Sequence, residues 1–222
     1  MFAYLDEGVS DFGLETLLRQ FQTLFPYLRL IARANSIKDP FDSRVVEAYW
    51  VGNELLENVS KQKLYENLVD DHRLKKKLGS ASFSAIGERI GKGALPHHSF
   101  HVLNIWKRTG HLEREHTLES MNECRVSWGR VASVAGPYLD VETQALAMSD
   151  GKLGLHDSIK RRIVRHLEAS SDIGELKTGD VISIHWGVPC EVLLPQEVNF
   201  LRRYTLHSIR LANGEHPRRA LA

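Results

Sequence analysis

Val126-Ser127-Trp128-Gly129-Arg130-Val131-Ala132-Ser133-Val134-Ala135-Gly136-Pro137-Tyr138-Leu139-Asp140-Val141 decides the fold class. It is a β-favouring run broken by a Gly-Pro pair, which predicts two strands with a turn between them. Further short runs follow, with Ile159, Ile163 and Val164, then Val181, Ile182 and Ile184, punctuated by Asp150-Gly151 and Thr178-Gly179-Asp180. The expectation over residues 121–212 is a small, OB-like β-barrel. A terminal helix starting near Pro195 and continuing through Phe200, Leu201, Tyr204, Leu206 and Ile209 is expected to pack on it.

Upstream the periodicity is helical. Leu14, Leu17, Leu18, Phe21, Leu24, Phe25 and Leu28 recur at helical spacing, with Pro26 expected to bend or divide the segment. Asp39 and Pro40 fit an N-cap and first-turn proline for a second stripe, Val45, Val46, Tyr49, Leu55, Leu56 and Val59. Ser60 is expected to cap a third helix containing Leu64, Leu68 and Leu74, with Lys75 to Lys77 at its end and Gly79 as its stop. Gly87, Gly91, Gly93 and Pro96 are then expected to interrupt regular structure. The sequence therefore predicts an α+β protein. A helical domain spans 1–96, a connecting strand or linker 97–120, the barrel with its terminal helix 121–212, and a tail 213–222.

With 222 residues the chain has ample length for a core without disulfides. The 29 basic and 28 acidic residues nearly cancel, which argues against a nucleic-acid or membrane-surface partner and for a protein partner. Two cysteines make no disulfide framework and are read as reduced thiols. Residues 1–11 carry Asp6, Glu7 and Asp11 and lack a basic segment followed by an apolar run. No apolar stretch reaches membrane-spanning length. The expected location is the cytoplasm.

Two motifs carry the chemistry: Cys124-Arg125-Val126-Ser127-Trp128-Gly129-Arg130-Val131, and Gly179-Asp180-Val181-Ile182-Ser183-Ile184-His185-Trp186-Gly187. In isolation Cys124 reads as a small buried apolar residue and His185 as a hydrogen-bonded core histidine. In order, the spacings Cys-x4-Gly-x-Val and Gly-Asp-x-Ile-x-x-His-x-Gly resemble the opening and central strands of the HypC/HupF chaperones of NiFe-hydrogenase maturation. Leu193-Leu194-Pro195-Gln196-Glu197 stands where that family has its acidic helix start. The resemblance covers about residues 124–208. It implies a non-enzymatic carrier of iron, as an Fe(CN)2CO fragment, with Cys124 and His185 as the iron ligands. The implied partners are the hydrogenase large-subunit precursor and other maturation proteins. Thiolate is a soft, strongly donating ligand and imidazole a borderline one, a pair suited to low-spin iron carrying strong-field ligands.

Three departures accompany the match. The family's cysteine is N-terminal after methionine removal, whereas Cys124 is internal. Trp128 stands where proline is usual, and Val188-Pro189-Cys190 replaces Phe-Ala-Ile. Cys190 is read either as a strand residue packed inward or as a third soft ligand near Cys124.

Outside the resemblance, Pro96-His97-His98-Ser99-Phe100-His101 packs three histidines into five residues. On a strand His97 and His101 share a face while His98 points away. Two readings stay open for it, a metal-binding or proton-transfer pair and a hydrogen-bonding turn leading into a strand from Phe100 to Trp106. Two rival functions follow. One is a protein-docking adaptor for hydrogenase assembly that holds no metal. The other is a metalloenzyme with an open site of His97, His101 and Cys124 and a base such as Glu113 or Glu115. The basic stretch Lys160-Arg161-Arg162, Arg165, His166 reads as a solvated strand face.

Overall fold

The computed structural model describes residues 18–21, 23–105, 117–165 and 172–215. Leu14, Leu17, Trp106, His111, Glu113, Glu115, His116 and His166, and the tail beyond Glu215, lie outside the described residues.

The first fully described helix, α1 (Leu24–Ala34), buries Tyr27, Leu28, Leu30 and Ile31. The Leu14–Leu28 segment is divided as expected: Leu18 and Arg19 are helical, Gln20 and Phe21 are not, and a new helix starts at Leu24 with Pro26 in its first turn, where a missing N–H costs no intrahelical bond. Helix α2 (Ser43–Trp50) begins at Asp42 rather than Asp39, because the Asp42 carboxylate accepts the Arg44 N–H at 3.0 Å. Asp39 instead closes a turn onto the Phe41 N–H at 2.9 Å. The predicted second stripe is split, with Leu55 and Leu56 in a 3-10 turn, Glu54–Asn58. Ser60 caps α3 (Lys61–Asp70) as expected. The expected run to Gly79 is interrupted at Arg73, which has φ 54°, and resumes as α4 (Leu74–Leu78). Gly87 does not break structure and lies within α5 (Ser80–Gly91), which ends at Gly91; Gly93, at φ 101°, and Pro96 lie in the expected interruption.

The connecting strand expected over residues 97–120 is helical where it is described, as α6 (His98–Asn104) and α7 (Leu118–Cys124). The physical reason for α6 is its start, where the His97 ring accepts the Ser99 N–H at 3.1 Å and acts as the cap.

Beyond Cys124 the β-favouring runs form strands. They are β1 (Ser127–Ala135), β2 (Tyr138–Thr143), β3 (Leu146–Ser149), β4 (Lys152–Leu155), β5 (Ile159–Val164), β6 (Val181–His185) and β7 (Val188–Val192). Five of them make one antiparallel sheet in the order β5-β2-β1-β6-β7, and β3 and β4 form a separate hairpin. The expected closed barrel is therefore not formed among the described residues. Irregularities at Val131/Ser133 and Ser183/Ile184 curl the sheet, and edge strands β5 and β7 approach without a hydrogen-bonded ladder. Val131, Leu139, Val141, Ile163, Ile182 and Ile184 form its interior, covered by Ile173 and Leu176.

Helix α8 (Pro195–Ala212) starts where the sequence placed it, with Glu197 accepting the Leu194 N–H at 2.6 Å. It packs chiefly on α6 rather than on the sheet. Ser99 and Thr205 hydroxyls meet at 3.2 Å, and the Asn104 amide donates to the Ser208 carbonyl at 3.0 Å. Tyr204 and Leu211 join the core of α1 to α5. Gly52, at φ 101°, makes this docking possible, since a Cβ there would lie 2.1 Å from Tyr204 Cδ2. No helix among the described residues is long and apolar enough to cross a membrane.

Candidate metal centre

Cys124 is the last residue of α7, not a residue of the opening strand. The final carbonyls of a helix lack intrahelical donors, and here two distant segments supply them. Glu123 O accepts the Trp186 N–H at 2.8 Å, and Cys124 O lies 2.7 Å from His98 Nε2. A carbonyl only accepts, so Nε2 carries the proton. The other ring nitrogen, Nδ1, then accepts from the Tyr49 hydroxyl at 3.1 Å, which fixes the tautomer of neutral His98. Burial holds its pKa well below the usual histidine value, with His185 adding to the effect.

His185 closes β6 just before a two-residue turn, Trp186-Gly187, in which both residues have positive φ, 52° and 71°. That is the geometry of a tight type I′ hairpin, unusual for tryptophan, and it sets His185 beside the end of α7. A bidentate ion pair from Arg161 to Glu123, at 2.8 and 2.7 Å, ties β5 to the end of the same helix. Burial lowers the pKa of His185, against an upward pull from the Cys124 backbone. Its Nε2 atom is buried and has no hydrogen-bond partner.

His98, Cys124 and His185 thus bring one donor atom each to within 4.8 Å of one another. Trp50 walls the group, its ring centroid 4.5 Å from that of His98 and 5.1 Å from that of His185. Donors on one metal at bond lengths of ~2.0–2.3 Å sit roughly 3–4 Å apart, so closing the site takes about 1 Å of side-chain movement. One thiol and two neutral imidazoles make a soft-to-borderline set, and only the thiol must lose a proton to bind.

The remaining predicted residues go elsewhere. His97 is a helix cap whose ring stacks on Tyr204, centroids 5.4 Å apart. His101 points to Tyr27, with Nδ1 3.1 Å from the hydroxyl. Each thus meets its own partner, the site of His97, His101 and Cys124 is not assembled, and it is His98 that lies beside Cys124 instead. Cys190 is exposed rather than packed inward, its Sγ 3.5 Å from the Val188 carbonyl, and it is not part of the His98–Cys124–His185 group.

The basic stretch is not one solvated face. Arg161 binds Glu123, Arg162 binds Asp140 at 2.8 Å, and buried Arg165 donates to the carbonyls of Ile173 and Gly174 at 3.1 and 3.0 Å. Sequence reasoning missed Tyr49, Trp50 and the Glu123–Arg161 clamp, which carry no motif. His98 was visible only as part of a histidine cluster.

A family model described as a family of unknown function, DUF6390, matches residues 3–219. No curated protein and no solved structure matches the chain.

Proposed function

This chain belongs to DUF6390, a family whose function is unknown, and we propose that it is a cytoplasmic accessory chaperone of NiFe-hydrogenase maturation. In this reading it is no enzyme. Iron, alone or as the Fe(CN)2CO fragment, is its cargo, held by Cys124 and His185 and passed to the large-subunit precursor or another maturation protein. The observation that carries the reading is that a His185 ring nitrogen and the Cys124 thiol lie within 4.8 Å of each other, while Nε2 of the same ring is buried without a hydrogen-bond partner. A buried polar nitrogen without a partner carries a desolvation penalty of about 1–3 kcal/mol that a metal bond removes. Further support comes from the ordered resemblance of the two motifs to the HypC/HupF chaperones. Few protein donors leave coordination positions open for small ligands and for a recipient's thiolates, which suits handover rather than storage.

The test is iron analysis and infrared spectroscopy on protein purified without oxygen from hydrogenase-expressing cells. Bound iron with cyanide and carbonyl stretches, lost in Cys124→Ala and in His185→Ala, is the expected result. Wild-type protein with neither iron nor such stretches overturns the reading.

One observation favours the adaptor as a second reading: edge strand β7 leaves Val188 and Val192 exposed beside Trp186. Partner capture unchanged in Cys124→Ser, with no iron bound, selects it.

A further inference from the structure

We propose that His98 is a third protein ligand of the same metal, contributed by the helical part of the chain, and that Tyr49 is the positioning residue that allows it to bind. The inference rests on the iron-carrier reading of Cys124 and His185. It goes beyond the two motifs, neither of which contains His98.

His98 is 6 % exposed, and a donor atom of its ring lies with Cys124 Sγ and a His185 nitrogen inside one 4.8 Å group. Its Nε2 is the atom nearest the Cys124 backbone, at 2.7 Å from the carbonyl oxygen. As hydrogen-bonded, that nitrogen carries its proton and offers no lone pair. Tyr49 removes the obstacle without placing a charge in the core, because a phenolic oxygen both donates and accepts.

When Nε2 binds iron, the Nε2–H bond breaks and an Nδ1–H bond forms. The imidazole thus keeps one proton and stays neutral. Tyr49 changes from donor to Nδ1 into acceptor from Nδ1–H across the same 3.1 Å contact. The Cys124 carbonyl gives up its donor, and the Cys124 thiol releases one proton as it binds as thiolate. A ligating histidine that donates its other N–H to a fixed oxygen has its ring orientation set and its basicity raised. Tyr49 is suited to that task, being 1 % exposed and packed on Tyr27 with ring centroids 5.4 Å apart. The consequence is a cargo site that spans α2, α6, the end of α7 and the end of β6, so loading couples the helical core to the sheet.

The test uses ferrous iron alone, titrated without oxygen into the full chain, with X-ray absorption of the loaded protein. Wild type is expected to show one sulfur and two imidazoles. His98→Asn is expected to show one sulfur and one imidazole, with affinity reduced roughly tenfold or more. Tyr49→Phe, which keeps the packed ring, is expected to retain both imidazoles while losing roughly two- to tenfold in affinity, since Nδ1–H then has no acceptor. If His98→Asn fails to fold, Tyr49→Phe and the wild-type imidazole count decide.

Iron binding that needs Cys124 but shows one imidazole in wild type, with Tyr49→Phe unchanged, overturns the role of His98 and leaves the carrier reading standing. No iron binding by wild type overturns both.

Discussion

Helix α6 and strand β7 both border the Cys124–His185 pair, and each inverts the usual placement of side chains. All seven residues of α6 are buried although His98, Ser99, His101 and Asn104 are polar. Strand β7 leaves Val188, Cys190 and Val192 exposed although all three are apolar or weakly polar. The polar residues are tolerated inside because each has a partner: Tyr49 and the Cys124 carbonyl for His98, Thr205 for Ser99, Tyr27 for His101, the Ser208 carbonyl for Asn104. The edge strand keeps Pro189 buried and leaves Val188, Cys190 and Val192 exposed among the described residues. The candidate centre is therefore bordered by a helix built into the core on one side and by an edge strand with exposed side chains on the other.

The largest expected effect tests the core side. Phe100 is 1 % exposed in α6, and Phe100→Ala is expected to cost about 3–5 kcal/mol. Val192→Ser on β7 is expected to change stability by less than about 0.5 kcal/mol. Urea unfolding of both variants measures the contrast, and equal costs would break the comparison.

Acid probes the same side next. His72 is buried against Tyr27, with ring centroids 4.4 Å apart, and burial lowers its pKa to about 3. A folded-state value below the unfolded value of ~6.5 means that the unfolded chain binds the proton first. This stability is fully present above pH ~6.5 and is lost as the pH falls toward 3. His72 is expected to supply about 2 kcal/mol of the loss between pH 7 and pH 5, so His72→Phe should lose less than the wild type by that amount, the other buried histidines, His97 and His98 among them, supplying the rest. The same change in denaturation midpoint over that range in wild type and His72→Phe would remove His72 from the account.

The smallest of the three effects sharpens the edge-strand side. Gly187 has φ 71°, and a Cβ there would lie 3.1 Å from Arg161 Nη2. Gly187→Ala is expected to cost about 1–2 kcal/mol and, by crowding Arg161, to loosen the Arg161–Glu123 pair that ties β5 to α7. Thermal unfolding measures the cost, and an unchanged midpoint would show that the hairpin tolerates another turn.

Much of the fold was legible where the signal was local. Ser60 as a cap, Pro195 as a helix start, and Gly136-Pro137 and Asp150-Gly151 as hairpin turns each depend on a few adjacent residues, and each is observed. The misses share a cause. Gly87 lies inside α5 because Phe83, Ile86 and Ile90 bury a helical face that outweighs glycine's weak propensity. The helix that starts at His98 is not legible in the sequence because capping by the His97 imidazole has no standard sequence signature. The barrel was inferred from strand count, and closure depends on whether β5 and β7 pair, which no local pattern specifies.

For the candidate centre, the sequence by itself determined that Cys124 and His185 sit in motifs of ordered spacing, that the chain mixes helices with an antiparallel β region, and that net charge is near zero. Only the tertiary structure decided that His98, rather than His97, His101 or Cys190, joins them. It also decided that Tyr49 lies on the far side of the His98 ring. The physical reason is distance along the chain: the contacts from His98 to Cys124 and to Tyr49 span 26 and 49 residues. They exist because the burial of α6 against α8 and the helical core fixes where one imidazole points.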